Sequence, residues 1–290
     1  MQHPKNAQTL REKAWNGLHE KERGIVWLVL LDVISPCESS HESEIQARIK
    51  AYLELSEEET FLTPDFLLSP SNLNKAYKQI QKDVLRIKST FQGTDISDRY
   101  IKAMQIFTRK HSVIGYAQGM CEIFKLFIDV YAVGYSVEEA EALSYFCFTK
   151  IVCTYLDYFS SRQAGIERSI FEIQVLIKKY APDLERHFSR EGVEVKYFAY
   201  NWVSTFLIRE FMQHKEVFDA HFSLGPEEFV RFNEAFSAGI IFHLSGSLLE
   251  SDFEGIIRTL QNLQDRAWSR PEIEKLLSIG FVIYSGGRLW

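Results

Sequence analysis

Asp83 and Arg86 are an acid and an arginine three residues apart, in the segment IQKDVLR at positions 80–86. Residues at this spacing are neighbours on a helix, so the two side chains can form an ion pair. Ile80 and Val84 fall on an adjacent apolar stripe that would face a core. An exposed ion pair of this kind contributes only about 0.3–0.5 kcal/mol. The rest of the chain must therefore decide whether the pair has a function.

A second polar side chain that could take part in a reaction is that of Gln118, in the segment GYAQG at 115–119. The flanking glycines, Gly115 and Gly119, allow the backbone to take a positive φ or to approach another surface closely. The glutamine amide offers both a donor and an acceptor, which is the pair required to orient a water molecule. No Gly-Lys-Ser/Thr follows this turn, so the sequence does not match a phosphate-binding P-loop.

Helices must position both segments, because apolar residues recur at helical spacing along nearly the whole chain. Residues 10–31 predict two short helices broken at Gly17 and Gly24, and two prolines at 63–72 predict a turn before the helix that carries Asp83 and Arg86. Residues 35–43 predict a loop. The other predicted helices cover 44–55, 96–112, 136–156, 169–192 with a break at Pro182, 195–212, 227–251, 252–263 and 270–284.

The fold class predicted from this pattern is all-α, as one unit of a dozen or more helices with two possible lobes. Strand alternation is limited to short ambiguous runs, and no repeat of about 33–45 residues indicates a solenoid. A chain of 290 residues with 46% apolar residues can bury a sizeable core.

Composition also excludes several function classes. The formal net charge of −6 argues against electrostatic binding to nucleic acid or to an anionic membrane. The four cysteines form no Cys-x-x-Cys pair, which favours reduced thiols in the cytosol. The longest apolar run, IVWLVLL at 25–31, is far shorter than the roughly 20 residues of a membrane span, and the first residues are too polar for a signal peptide. We therefore expect a cytoplasmic protein.

The two polar segments together resemble a known family. Ile80-x-x-Asp83-x-x-Arg86, followed by Tyr116-x-Gln118-Gly119, is similar to the paired signature of TBC-domain GTPase-activating proteins, which act on Rab small GTPases. The resemblance extends over about 10–265. Its other landmarks are the segments LREKAWNGLHEKERGIVWLVLL at 10–31, YFCF at 145–148, VFDA at 217–220 and DFEGIIRTLQNL at 252–263, with Trp202 and Thr205.

The resemblance implies a single TBC-type multi-helix domain at 10–265. An N-terminal extension at 1–9 would precede it, and a C-terminal helix and tail at 266–290 would pack on it. Four positions depart from the family pattern and concern local packing and partner choice rather than chemistry. They are Ile87 in place of Thr, Cys121 in place of Asn, Leu126 in place of Pro and Phe218 in place of Trp.

The resemblance also implies a function for the paired segments. Arg86 would be an arginine finger that stabilises charge on the γ-phosphoryl group of GTP in a partner's site, and Gln118 would orient the attacking water. Asp83 would orient the guanidinium, while Tyr116 and Gly119 would shape the loop of Gln118 and Ile80 would support the helix or the partner contact.

The expected partner is a GTP-bound Rab-family GTPase, without nucleic acid and without direct membrane insertion. The chain would have no cofactor and no metal of its own, because GTP and magnesium belong to that partner. It would not be an enzyme by itself, but an activator recruited to endomembranes through the Rab.

One alternative is a TBC-like interaction module that binds a GTPase or a complex without stimulating hydrolysis. Such degenerate modules typically lack the arginine or the glutamine, and both are present here. Another alternative makes Cys121 a papain-like nucleophile, but the flanking sequence lacks that family's pattern. His111 and His243 have no partners at metal-ligand spacing.

Overall fold

Helices form most of the computed structural model, which describes residues 3–58, 70–160 and 162–289. The chain divides into two units, Met1–Gln163 and Ala164–Trp290. The predicted all-α class with two lobes is confirmed. None of the described helices combines the length and the hydrophobicity that a membrane span requires.

The first unit contains eight helices and one short hairpin among its described residues. The helices are α1 (His3–Trp15), α2 (Glu20–Leu30), α3 (His41–Glu58), α4 (Pro70–Arg86), α5 (Ser97–Lys110), α6 (Met120–Tyr131), α7 (Val137–Thr154) and α8 (Leu156–Phe159). A 3-10 turn covers Glu38–Ser40. Strands β1 (Thr90–Phe91) and β2 (Thr94–Asp95) pair antiparallel between α4 and α5.

The second unit contains nine helices among its described residues. They are α9 (Ala164–Tyr180), α10 (Pro182–Glu191), α11 (Lys196–Ser204), α12 (Ile208–Phe211), α13 (Lys215–Ser223), α14 (Phe229–His243), α15 (Ser245–Leu249), α16 (Phe253–Gln261) and α17 (Arg270–Tyr284). Helix α17 packs along α14, and a Cβ on Gly239 would lie 3.2 Å from the backbone nitrogen of Gly280. These two glycines therefore let the helices approach closely.

Helix α6 forms the centre of the first unit and packs against α2, α4, α5 and α7. Its last residue, Tyr131, donates a hydrogen bond from its hydroxyl to the carbonyl of Gly24 at 3.3 Å. A Cβ on Gly24 would lie only 3.2 Å from the Tyr131 ring. The predicted break at Gly24 is wrong, because this glycine lies inside α2 and lets that helix pass close to α6.

Local sequence signals explain where several helices begin. The break at Gly17 is confirmed, since this residue has φ +87° between α1 and α2. His19 and Glu22 then cap α2 by exchanging hydrogen bonds with each other's backbone. The predicted break before Pro182 is also confirmed, because this proline occupies the first turn of α10, where its missing N–H costs nothing.

Other segments differ from the prediction. The predicted loop at 35–43 is partly helical, because α3 begins at His41, where hydroxyls of Ser35 and Ser40 hold the carboxylate of Glu44 at 2.6 Å. Helix α6 and the 90–95 hairpin were not predicted. Most of the predicted turn at 63–72 lies outside the described residues, and α4 has begun by Pro70.

Candidate functional site

Helix α4 turns an apolar face to the core of the first unit and a polar face to solvent. Ile80 and Val84 are buried, at 0% and 1% exposure. Asp83 is also buried, whereas the side chain of Arg86 is 62% exposed. The predicted pair therefore consists of a buried acid and an exposed arginine. Ile80 supports the helix from the core side and offers no surface to a partner.

Three donors surround the Asp83 carboxylate. Its Oδ1 accepts hydrogen bonds from Gln79 Nε2 at 2.9 Å and from Arg86 Nη1 at 3.2 Å. Its Oδ2 accepts a hydrogen bond from the Tyr116 hydroxyl at 2.9 Å. A buried carboxylate needs such partners, since an unsatisfied one would cost several kcal/mol. Asp83 thus joins the end of α4 to the loop that contains Tyr116.

The Tyr116 hydroxyl also contacts Cys121 Sγ at 3.1 Å. Burial raises the pKa of Tyr116 well above its usual value, and burial raises the pKa of the Cys121 thiol to about 12. Both groups are therefore protonated at neutral pH. Since the single Tyr116 proton is directed at Asp83, the Cys121 thiol must donate to the Tyr116 oxygen. The chain of donors runs in one direction, from Cys121 through Tyr116 to Asp83.

Two glycines shape the loop that presents Gln118. Gly115 has φ +69°, and Gly119 has φ +100° at the position that precedes α6. Such angles favour glycine because a Cβ would crowd the backbone. Gly119 is buried and Gln118 is exposed. The loop is therefore anchored on both sides of a glutamine whose side chain meets solvent.

His111 holds the other end of this loop. Its carbonyl accepts hydrogen bonds from the backbone N–H groups of Ile114 at 2.9 Å and Gly115 at 3.0 Å. Its ring stacks on Phe107 at a centroid distance of 4.6 Å, and its Nδ1 lies 3.7 Å from Cys153 Sγ. Burial lowers the pKa of His111. It packs as a neutral ring that fixes where the loop leaves α5.

The site therefore combines a guanidinium that is bonded to Asp83 with an exposed amide on a loop whose backbone is anchored. Arginine has five N–H donors in a planar fork, and only one of those of Arg86 is bonded within the described part of the chain. The others remain free to meet an external anion. The bond from Tyr116 to Asp83 links the helix that carries this cation to the loop that carries Gln118.

The structure also locates the four departures from the family pattern. Cys121 and Leu126 are buried in α6, and Phe218 is buried in α13. Ile87, directly after α4, is partly buried. Of the four, Cys121 is the one that touches the site, through Tyr116. Among the described residues, no group of three His, Cys, Asp or Glu side chains could hold a metal ion.

The sequence of this helical protein matches a known domain family. The model of the Rab-GTPase-TBC domain matches residues 20–242, which is well over half of the chain. The helical fold is thus that of a domain class named for Rab GTPases. The chain belongs to the Rab-GTPase-TBC domain family.

Several known proteins are similar to this chain. The GTPase-activating protein gyp1 of Schizosaccharomyces pombe is 26% identical across 96% of this chain, and human TBC1 domain family member 22B is 24% identical across 93%. The chain spans 58% and 56% of these two relatives. The crystal structure of the Ypt/Rab-GAP domain of Gyp1p has the same fold, with a TM-score of 0.85 and 24% identity over 96% of this chain and 92% of that one. The Chlamydomonas flagellar RabGAP TBC domain also shares the fold, with a TM-score of 0.63 and 16% identity over 94% and 84%.

Sequence reasoning missed three contributors to the site. Gln79 lies four residues before Asp83, and this helical spacing could have identified it as a donor. Cys121 was considered as a nucleophile or as a packing residue, whereas its thiol bonds to Tyr116. The part played by His111 depends on stacking with Phe107 and on contact with Cys153, which is remote in sequence.

Proposed function

We propose that this chain is a GTPase-activating protein for a GTP-bound Rab-family GTPase, and that it completes the partner's active site with Arg86 and Gln118. Membership of the Rab-GTPase-TBC domain family and relatives named GTPase-activating protein support the partner class. The observation that carries the two-residue mechanism is the hydrogen bond from Tyr116 to Asp83. It ties the loop of the glutamine to the helix of the arginine.

Arg86 acts on the charge that develops during hydrolysis. The transferred γ-phosphoryl group spreads negative charge over its oxygens, and an arginine supplied in trans accelerates the reaction about 10³–10⁵-fold. Asp83 holds one Nη1–H of Arg86 at 3.2 Å, so the guanidinium loses less freedom when the partner docks. Its remaining N–H groups are available for two phosphoryl oxygens.

Gln118 acts on the nucleophile. An in-line attack requires a water whose proton and lone pairs are both oriented, and one amide can accept from and donate to it. The buried Gly119 and the bonded Tyr116 restrict the backbone on either side of the exposed Gln118. A glutamine held in this way can replace the one that Ras-type GTPases use for the same purpose.

We also propose where the protein works, what it needs and which residues form the domain. GTP and magnesium belong to the partner, so this chain needs no cofactor, and it is an activator rather than an enzyme by itself. It works in the cytoplasm and reaches endomembranes through the Rab. Residues 10–265 form the domain, residues 1–9 are an extension before it, and the helix and tail at 266–290 pack on it.

The deciding experiment is single-turnover GTP hydrolysis across a panel of Rab GTPases with wild type, Arg86→Ala and Arg86→Lys. Both variants should lose stimulation by a factor of at least about 10³, because neither retains the planar fork. Arg186→Ala is a matched control, since Arg186 pairs with Asp183 at the same spacing and its side chain is 67% exposed. Stimulation by either Arg86 variant within about threefold of wild type would refute the assignment.

Gln118 has a separate test in a partner whose own switch glutamine is replaced by alanine. Wild-type protein should still stimulate that GTPase, because Gln118 supplies the missing amide, and Gln118→Ala should not. If wild type fails on this partner while it stimulates the unaltered one, Gln118 has only a structural role.

Binding to different nucleotide states separates an activator from an interaction module. Interactions that act on the transition state should make binding to the GDP–aluminium fluoride form tighter than binding to the GTP form. Arg86→Ala should abolish most of that difference. Equal retention of wild type and Arg86→Ala in every nucleotide state would instead indicate a binding module.

A further inference from the structure

Helix α4 carries a line of positive charge that leads to the site. The helix contains four cationic residues and one acid, although the whole chain has a net charge of −6. At 3.6 residues per turn, Lys75, Lys78, Lys82 and Arg86 fall within an arc of about 80°. We call the first three the lysine stripe. The buried Leu73, Ile80 and Val84 are on the opposite side of the helix.

The lysine stripe is exposed and is not neutralised within the described part of the chain. All three lysines are exposed, and none of them forms an ion pair with a described residue. The acid of the same helix, Asp83, is buried and already engaged by Tyr116 and Arg86. The positive potential of the stripe therefore reaches into solvent.

Two other long helices differ from α4 in charge pattern. Helices α9 and α17 each mix acidic and basic residues, as an ordinary solvated face does. On α17, for example, Arg270 lies 3.0 Å from Glu274. An unmixed stripe costs stability through self-repulsion. This cost favours a function outside the helix over simple solvation.

An exposed apolar residue lies at the end of the stripe. Leu85 is 84% exposed and directly precedes Arg86. Docking surfaces combine desolvated apolar contacts with a charged rim, and the rim charges chiefly set the rate of association. Leu85 and the lysine stripe together have the composition of such a surface, and they are continuous with the arginine that must enter the partner.

We propose that the lysine stripe docks against an acidic protein surface beside the nucleotide site of the partner GTPase and steers its association. This inference rests on the proposed function, because that function fixes where Arg86 goes. A protein occupant is favoured over a membrane because the stripe continues to Arg86, and that end of the helix faces the GTPase. The acidic character of the whole chain also opposes binding to an anionic bilayer.

The test neutralises the stripe without disturbing the finger. A glutamate at position 82 would lie four residues before Arg86 and could capture it, so the variant is Lys75→Gln, Lys78→Gln, Lys82→Gln. The matched control is Lys178→Gln, Lys179→Gln, Lys275→Gln, which removes the same charge from exposed lysines of the second unit. Far-ultraviolet circular dichroism verifies that both variants fold.

The measured quantities are the association rate with a panel of Rab GTPases, kcat and KM, each at about 0.05 M and about 1 M salt. We expect the stripe variant to associate roughly tenfold more slowly at low salt, with kcat within about twofold of wild type. The difference should vanish at high salt, where the screening length is about 3 Å. The control should behave as wild type.

Each other outcome has a defined meaning. Equal association rates for the stripe variant and the control, no binding to any Rab, or a loss of kcat at unchanged KM would overturn the proposal. Cosedimentation of wild type, but not of the stripe variant, with phosphatidylserine vesicles would also overturn it if the association rate is unchanged. If the stripe governs association while Arg86→Ala does not affect hydrolysis, the docking surface stands and the proposed activation fails.

Discussion

Tyr116→Phe tests whether the two halves of the site depend on each other. The change removes one hydroxyl that donates to Asp83 Oδ2 at 2.9 Å and contacts Cys121 Sγ at 3.1 Å. The ring remains, so packing is nearly preserved. Asp83 retains Gln79 and Arg86 as donors, both on Oδ1. The buried Oδ2 loses its partner.

The size of the effect follows from the kind of bond that is lost. A hydrogen bond to a charged group contributes about 1.5–3 kcal/mol. If that energy orients Arg86 and Gln118, kcat should fall by roughly 10- to 100-fold, because each 1.4 kcal/mol is about a factor of ten. The freed Oδ2 can also draw a second N–H of Arg86 towards α4. Both effects lower kcat more than they raise KM.

Tyr131→Phe is the matched control for this experiment. Tyr131 is a buried tyrosine of the same unit whose hydroxyl contacts Cys147 Sγ at 3.1 Å and donates to a backbone carbonyl. It lies at the end of α6 remote from the Gln118 loop. Its removal should lower stability by about 1 kcal/mol and leave kcat unchanged.

Single-turnover hydrolysis and chemical denaturation, measured on both variants, separate catalysis from folding. The expected pattern is a loss of stability in both and a loss of kcat in Tyr116→Phe alone. If Tyr116→Phe keeps kcat within about twofold of wild type despite a loss of stability, the hydroxyl serves folding, and the proposed coupling of the two fingers is refuted.

Three further predictions concern stability. Gly119→Ala places a side chain at φ +100° and should cost about 1–3 kcal/mol in chemical denaturation, whereas Gly246→Ala in α15, without positive φ, should cost nothing. Burial lowers the pKa of His221 to about 4 from 6.5, so the contribution of this group to stability should be complete above pH 6.5 and fall by about 3 kcal/mol as the pH drops towards 4; the difference between wild type and His221→Gln in pH-dependent melting measures it. Burial raises the pKa of Glu234 to about 6 from 4.5, so the contribution of this second group should fall by about 2 kcal/mol as the pH rises from 4.5 to 6, and the difference between wild type and Glu234→Gln measures that loss.

The sequence predicted helices best where their boundaries have local chemical causes. Pro182 and Gly17 act through their own backbone geometry, so both breaks were confirmed. Gly24 was misread because its function is to admit the ring of Tyr131, which is more than a hundred residues away in the chain. Helix α6 was not predicted, although Glu122, Lys125 and Asp129 recur at helical spacing in its otherwise apolar sequence.

The same distinction between local causes and contacts remote in sequence applies to the site. The spacing of Asp83 and Arg86 is a local property, and the expected ion pair is present. The bond from Tyr116 to Asp83 joins residues 33 positions apart, and no periodicity encodes it. Cys121 became relevant only through that bond. A sequence can thus indicate the residues of such a site, but the donor chain among them depends on the packing of α6 against α4.

The ion pair of Asp83 and Arg86 contributes little to the stability of the free protein. The Arg86 side chain is 62% exposed, and two unit charges about 4 Å apart in water attract by only about 1 kcal/mol before entropy and screening reduce it. In the proposed complex, a docked partner would exclude water, so the effective dielectric constant would fall and the same attraction would grow several-fold. The pair would therefore orient the guanidinium most firmly in that complex. A buried acid beside an exposed arginine therefore needs no gain in the stability of the isolated fold.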